Sequence, residues 1–204
     1  MRHHVTGALI ASAVLGVAGC GGGTSSSSSS SSGGGGSSGA ANPNAPEVNA
    51  AGDIPDNQAY VAYTPPGGGY SVKVPEGWSR TSSAGAVTFT DKLNFIRMES
   101  MPAGQPPSVP SAKHTAVPQL AQSIKGFKAG KVSAVSRHAG RAVRITYLAD
   151  APANAVTART NLDAVESYLF FHNGREVVLT LSGPKGADNV DPWRIVTDSL
   201  RFKP

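Results

Sequence analysis

Alternating apolar and polar positions recur along the last two-thirds of the chain and predict β-strands. Half-buried strands show this alternation because successive side chains point to opposite faces of a sheet. The runs that alternate are 70–74, 86–90, 93–101, 131–137, 142–149, 164–172 and 176–182. Asn173-Gly174 separates the last two runs and is the strongest hairpin signal, because both residues tolerate the positive φ of a type I′ turn. The strands are therefore expected to pair as antiparallel hairpins.

Two segments carry apolar residues at helical spacing instead. Apolar residues at 117, 120, 121 and 124 predict an amphipathic helix near 117–124. A second helix is predicted near the end, with Asp191 as its N-cap and Pro192 at its first position. Its apolar face would be Trp193, Val196 and Leu200. These elements predict an α+β fold over residues 60–204, a mainly antiparallel sheet of hairpins packed with two or more helices.

The start of the chain has the pattern of an export signal. An apolar run from 5 to 17 follows Arg2 and is too short for a stable membrane-spanning helix, which needs about 20 apolar residues. The run ends in Val-Ala-Gly-Cys at 17–20, which resembles a bacterial lipobox. We expect a signal peptide at 1–19 and acylation of Cys20. The alternative is an ordinary signal peptide with an incidental cysteine. Cys20 is the only cysteine, so no intramolecular disulfide competes for its thiol.

Residues 20–59 are expected to form a flexible tether. They contain a run of serines at 25–32 and of glycines at 33–36, with little apolar surface to offset the entropy of ordering. A glycine- and serine-rich chain of this length spans on the order of 35 Å. The acylated Cys20 would hold the protein to the extracytoplasmic face of the cell membrane, and the tether would set how far the domain reaches.

Basic residues dominate the middle of the folded part. From residue 60 onward the chain has 17 basic and 10 acidic residues, and none of the acidic residues lies between Glu99 and Asp150. The candidate contacts to an anionic lipid or wall polymer are Lys113, Lys125, Lys128, Lys131, Arg137, Arg141 and Arg144. Nucleic acid also attracts basic surfaces, but the expected location argues against it. The alternative is that these residues are scattered and only keep the protein soluble.

Few residues have the spacing that catalysis or metal binding requires. His114, His138 and His172 share no metal-ligand spacing, although the sequence leaves open that they converge in space. Asp163 and Glu166 would point to opposite faces of a strand. The carboxylates at 188 and 191 are explained by a turn and a helix cap. We therefore predict no catalytic residue, no metal and no cofactor.

Several short motifs occur in the same order as in PsbP-like domains. They are GYSVKVPEGW at 69–78, VTFTD at 87–91, GRAVRI at 140–145 and SLRF at 199–202. Together they span most of 60–204, and the whole chain resembles lipoproteins of actinobacteria with such a domain. The resemblance implies a PsbP-like sandwich and a non-catalytic binding or accessory module, although a fold alone does not define a function.

Three functions are compatible with this sequence. The first is a binding or accessory module for an envelope protein or wall component near the membrane. The second is a carrier that holds a lipid or other apolar molecule between the sheet and the helix. The third is an enzyme, which would require one of the histidines to lie within hydrogen-bond reach of a serine or aspartate in a cleft. A deep apolar cavity beside the helix at 117–124 would favour the carrier.

Overall fold

A computed structural model describes residues 51–67, 69–83, 85–151 and 161–203 of the chain. Cys20 and residues 1–50 lie outside the described residues, so the predicted signal peptide and anchor remain predictions. Ten strands and two helices follow one another in the described part. The strands are β1 Tyr60–Tyr63, β2 Tyr70–Pro75, β3 Ser79–Ser83, β4 Ala86–Thr90, β5 Phe95–Pro102, β6 Lys128–Arg137, β7 Gly140–Asp150, β8 Leu162–His172, β9 Arg175–Pro184 and β10 Arg201–Phe202. The helices are α1, continuous over 109–123, and α2, Val190–Ser199.

The strands form two antiparallel sheets. The larger has seven strands in the order β3-β4-β5-β9-β8-β7-β6, and the smaller has three in the order β1-β2-β10. Asn173 and Gly174 join β8 to β9 with φ values of 47° and 74°, as a type I′ hairpin requires. The α+β fold with a mainly antiparallel sheet is therefore confirmed. The sequence did not predict β1 or β3, and β3 is exposed along its whole length, so it carries no alternation to detect.

Helix α1 begins earlier than predicted, at Val109. Ser108 caps it, because its side chain accepts a hydrogen bond from the Ser111 N–H at 3.2 Å, and the Ser111 hydroxyl accepts one from the Ser108 N–H at 2.9 Å. A π-helical turn, Ala112–Ala116, follows. The wider turn accommodates Pro118, whose ring would clash with the carbonyl four residues earlier in a regular α-helix. The helix ends at Ser123, and Ile124 has extended backbone angles.

Helix α2 begins one residue before the predicted N-cap. Asn189 is the residue that precedes the helix, Asp191 lies in its first turn and Pro192 occupies its third position. The predicted apolar face is confirmed, because Val196 and Leu200 are buried and Trp193 packs against the same core. The N-cap assignment was wrong because the helix already begins at Val190, which places Asp191 inside its first turn.

Asn189 fastens the segment that precedes β1 to the domain. Its Oδ1 accepts a hydrogen bond from the Ile54 N–H at 2.8 Å, and its Nδ2 donates to the Gly52 carbonyl at 3.0 Å. Ile54 itself is buried, with 4% of its surface exposed. The folded part therefore starts before the boundary at residue 60 that the composition indicates.

The seven-stranded sheet has a differently built core on each face. On what we call the closed face, Val72 and Val74 of the small sheet and Leu200 beside α2 pack on the buried side chains of β5, β8 and β9. On the open face, α1 packs through Ala112 and Leu120 on the buried residues of β7 and β8. Within the described residues, no helix has the length and apolarity needed to cross a membrane.

Candidate functional site

An open cleft lies between α1 and the open face of the large sheet. Helix α1 packs on β7 and β8, so the side chains of β9 and β5 on this face are left beside it and not beneath it. The cleft has two adjoining parts, of about 390 Å³ and about 380 Å³. Both parts are lined by Phe95, Ser123, Ile124 and Tyr147. Each volume falls within the range of small-ligand sites.

The central part of the cleft is lined by both apolar and polar side chains. Leu120 of α1 and Leu169 and Val178 of the sheet line it with apolar groups. The polar groups are Arg97, Glu99, Gln119, Ser167, Glu176 and Thr180. From Phe95 to Met101 the cleft follows six residue steps of β5, a length of about 20 Å. The cleft can therefore take an elongated amphipathic occupant.

The polar groups of the central part are partly engaged with one another. Arg97 and Glu99 form an ion pair at 2.7 Å, and the hydroxyls of Ser167 and Thr180 are 3.0 Å apart. Burial raises the pKa of the Glu176 carboxyl above its ordinary value.

The other part of the cleft, which we call the Asp163 end, is mostly apolar around the buried carboxylate of Asp163. Asp163 is 5% exposed, and its Oδ2 accepts a hydrogen bond from the Ser182 hydroxyl at 3.0 Å. Burial raises the pKa of Asp163, and the hydrogen bond from Ser182 acts in the opposite direction. Asp150 and Lys125 also line this end.

The seven predicted basic contacts do not share one surface. Arg137 and Arg144 lie on the closed-face side and pair with Asp198 at 3.6 Å and Glu166 at 3.4 Å. Arg137 also donates to the Thr197 and Tyr168 hydroxyls, at 3.0 and 3.1 Å. These two arginines therefore make contacts within the domain and are not free surface charges.

The other basic residues lie on the α1 side and along β6 and β7. Lys113 and Lys131 line a separate groove with Val117 and Phe127. Lys125 is at the Asp163 end of the cleft, and Lys128 and Arg141 are exposed on their strands. Two of the seven thus share a groove, and one belongs to the cleft.

The three histidines lie in different parts of the domain. His114 is exposed on α1, and His172 stacks on Phe202 with ring centres 4.6 Å apart. His138 Nδ1 lies 2.9 Å from the Asp198 carbonyl oxygen. None of these contacts joins a histidine to a serine hydroxyl or a carboxylate. Among the described residues, no cluster of histidine, cysteine, aspartate and glutamate side chains could hold a metal ion.

Asp163 is the site residue that the sequence analysis considered and set aside. The structure confirms that Asp163 and Glu166 face opposite sides of β8, with Asp163 on the open face and Glu166 beside Arg144 on the closed face. The available signal was its register, because Asp163 alternates in phase with the buried Val165 and Leu169. The cleft itself could not be predicted, since its lining comes from α1 and four strands.

Comparisons with known proteins find similar structures but no similar sequences. No family model and no curated protein matches the chain. The solution structure of cyanobacterial PsbP (CyanoP) from Synechocystis matches with a TM-score of 0.49 and 14% identity, over 76% of this chain and 98% of that one. LpqN of Mycobacterium tuberculosis, described as involved in cell envelope biogenesis, matches with a TM-score of 0.40 and 12% identity, over 73% and 93%.

A third match has a longer chain. A crystal structure from Bacteroides thetaiotaomicron gives a TM-score of 0.44 and 12% identity over 70% of this chain, which spans 48% of that one. Similarity at these scores carries no argument about activity or partners. The PsbP-like assignment therefore stays an interpretation of the sequence motifs, while the α+β architecture rests on the structure.

Proposed function

We propose that this protein is a lipid-anchored envelope lipoprotein whose domain is a non-catalytic binding module, with the cleft beside α1 as its binding surface. The observation that carries the proposal is the open cleft, which is lined by both apolar and polar side chains. Its occupant is an extended segment of an envelope protein, because a length of about 20 Å accommodates about six extended residues.

The location rests on the sequence around Cys20. A lipobox-like motif, a short apolar run and a glycine- and serine-rich tether are the features of an acylated exported protein. Growth with an alkyne-labelled fatty acid should label the natural chain and leave Cys20→Ser unlabelled. Equal labelling of both chains would reject Cys20 as the acylation site.

Partner binding can be tested by filling the cleft. Ser123 is exposed and lines both parts of the cleft, so a tryptophan there would occupy space that the partner needs. Gln122 is the exposed neighbour that does not line the cleft, which makes Gln122→Trp a matched control. Envelope proteins would be crosslinked to the natural chain and to each variant in the host.

The natural chain and Gln122→Trp should capture the same envelope protein, and Ser123→Trp should lose it at least tenfold. Both variants should unfold at the same temperature within a few degrees, since neither replaces a buried side chain. Equal capture by the two variants would exclude the cleft as the binding surface. No captured protein from the natural chain would reject the binding module.

A carrier of an apolar molecule is the second candidate. It is favoured by Phe95, Ile124 and Tyr147, which present apolar surface to both parts of the cleft. Native mass spectrometry of protein purified from its own host should then show a co-purified lipid that Ser123→Trp loses. A natural chain without added mass would exclude the carrier.

A further inference from the structure

Asp163 is a buried carboxylate with few partners in a mostly apolar recess. It is 5% exposed and lies at one end of the cleft, among Phe95, Ile124, Tyr147 and Val165. Within the described part of the chain, Ser182 supplies the hydrogen bond to its side chain, and no ion pair reaches it. One neutral donor does not replace the hydration that an ionised carboxylate loses on burial.

The charges around this recess favour a cation. Among the described residues, two carboxylates, Asp163 and Asp150, line it with a single ammonium, that of Lys125. Lys125 forms no ion pair with Asp163, and its residue is exposed. The described residues of the Asp163 end thus carry an excess of negative charge beside apolar side chains.

We propose that the Asp163 end of the cleft binds a primary ammonium group carried on an apolar chain. The ammonium donates to the Asp163 carboxylate, and the chain lies against Phe95, Ile124 and Tyr147. The inference rests on the proposed function in one respect, that the cleft is the binding surface. It adds the chemistry that the occupant presents, either as a free alkylamine or as a lysine side chain of a polypeptide.

Other cations fit this site less well. A divalent metal ion needs several oxygen ligands, and the described residues contain no cluster of acidic and histidine side chains that would supply them. A guanidinium is planar and prefers a carboxylate with both oxygens free, whereas Ser182 already occupies one oxygen of Asp163. An ammonium is a compact donor that one remaining oxygen can accept.

The test compares ligands that differ only in their head group. The processed chain, residues 20–204 with Cys20→Ser, is titrated with n-hexylammonium, n-hexanol and n-hexanoate, and backbone amide shifts are followed by NMR. Hexylammonium should shift the amides around 124–125, 149–151 and 163–165, with at least tenfold tighter binding than hexanol. Equal binding of hexanol and hexylammonium would show an apolar pocket without charge recognition and overturn the proposal.

Two aspartate variants separate the site from the overall charge of the protein. Asp163→Asn retains the shape and an acceptor for Ser182 but removes the charge, so it should abolish the tenfold preference. Asp191→Asn removes one charge at an exposed position of α2 and should leave the preference unchanged. Equal loss in both variants would attribute the preference to net charge and contradict the proposal.

The source of the ammonium is tested by a second ligand pair. An acetylated, amidated Leu-Lys-Leu peptide is compared with the same peptide acetylated on its lysine side chain. Preference for the charged peptide over hexylammonium identifies a polypeptide, and the reverse identifies a free amine. Lys125→Ala should strengthen binding of either. Binding that occurs only in Lys125→Ala would make Lys125 the resident partner of Asp163 and overturn the proposal.

Failure of this inference can be distinguished from failure of the proposed function. If Ser123→Trp blocks partner capture while Asp163→Asn and the ammonium ligands have no effect, the ammonium site is rejected and the binding module stands. If hexylammonium binds with the expected preference but no envelope protein is captured, the binding module is rejected and the ammonium site stands.

Discussion

The two faces of the seven-stranded sheet are covered to different extents. On the closed face, the side chains of Phe170, Leu179 and Leu181 are fully buried beneath the small sheet and α2. On the open face, Val178 and Thr180 of the same strand are only partly buried and line a cleft. Neighbouring residues of β9 therefore contribute to a buried core on one face and to an open cleft on the other.

The width of the covering elements explains this difference. An α-helix with its side chains is about 10–12 Å wide, and neighbouring strands lie about 4.8 Å apart. One helix therefore covers two to three strands, and α1 leaves the strands beyond β8 uncovered. The closed face carries three strands and a helix, which together cover a larger share of it. The cleft follows from covering a wide sheet with a single helix.

Arg137 and Asp163, one on each side of the sheet, have different numbers of polar partners. Arg137 on the closed-face side contacts Thr197, Tyr168 and Asp198. Asp163 on the open face has Ser182 as its hydrogen-bond donor within the described part of the chain. A satisfied network of this kind stabilises the fold, whereas an undersatisfied carboxylate in a cleft is available to a ligand.

Shortening one β9 side chain on each face should give the largest difference in the free energy of unfolding. Leu179→Ala removes a fully buried side chain from the closed face and should lower the free energy of unfolding by about 2–5 kcal/mol. Val178→Ala, one residue away on the open face, should cost about 1 kcal/mol, since its side chain is only partly buried. Urea unfolding of both variants measures the difference, and equal costs would contradict the contrast between the faces.

Gly126 tests how tightly the end of α1 is held against β7. It has a φ of +68°, and an added Cβ would lie 2.9 Å from the Asp150 backbone nitrogen. Gly126→Ala should cost about 1–3 kcal/mol, from backbone strain and this contact. Gly67→Ala is the matched control, with a φ of +66° and nothing within 4 Å of the added Cβ. Thermal unfolding should show a clearly smaller loss for the control.

Arg137 tests whether a predicted surface contact is in fact part of the fold. Arg137→Met removes its hydrogen bonds to Thr197 and Tyr168 and should lower the free energy of unfolding by about 1–2 kcal/mol. Lys131→Met, on the same strand but exposed, should change it by less than about 0.5 kcal/mol. Denaturant unfolding with similar losses for both would show that Arg137 acts only as a surface charge.

Asp163→Asn should change the free energy of unfolding least, and it should raise it where the other variants lower it. Burial raises the folded-state pKa of Asp163, so the ionised side chain costs stability that the neutral amide does not. The variant should match the natural chain at a pH well below about 3.9, the ordinary aspartate pKa. It should become the more stable of the two as pH rises through the folded-state pKa. A gain in melting temperature that does not depend on pH would contradict this origin.

Local patterns account for the elements that the sequence predicted correctly. The alternation in β2 and β7 is visible because one face of each strand is buried, and Asn173-Gly174 marks its hairpin through backbone conformation alone. The exposed β3 has no such pattern. The start of α1 was missed because prolines at 110 and 118 interrupt the expected helical signal, while Ser108 and the π-helical turn accommodate them.

The position of each functional candidate depended on distant parts of the chain. Seven basic residues are close in sequence, but Arg137 and Arg144 form ion pairs on the closed-face side, whereas Lys113 and Lys131 line a separate groove. Asp163 meets Ser182 only because β8 and β9 pair in a particular register. A count of charged residues does not show which face of the sheet each one occupies or how the strands pair.

The sequence by itself determined the α+β class, most strands, the β8–β9 hairpin and the apolar face of α2, because alternation and turn chemistry act over a few residues. It also carries the prediction of acylation at Cys20, which depends on a linear motif. Only the tertiary structure decided that Ile54 packs into the domain, that Arg137 belongs to an internal network, and that Asp163 lies at the end of an open cleft. Each of these depends on residues brought together across long sequence separations, for which a local pattern holds no information.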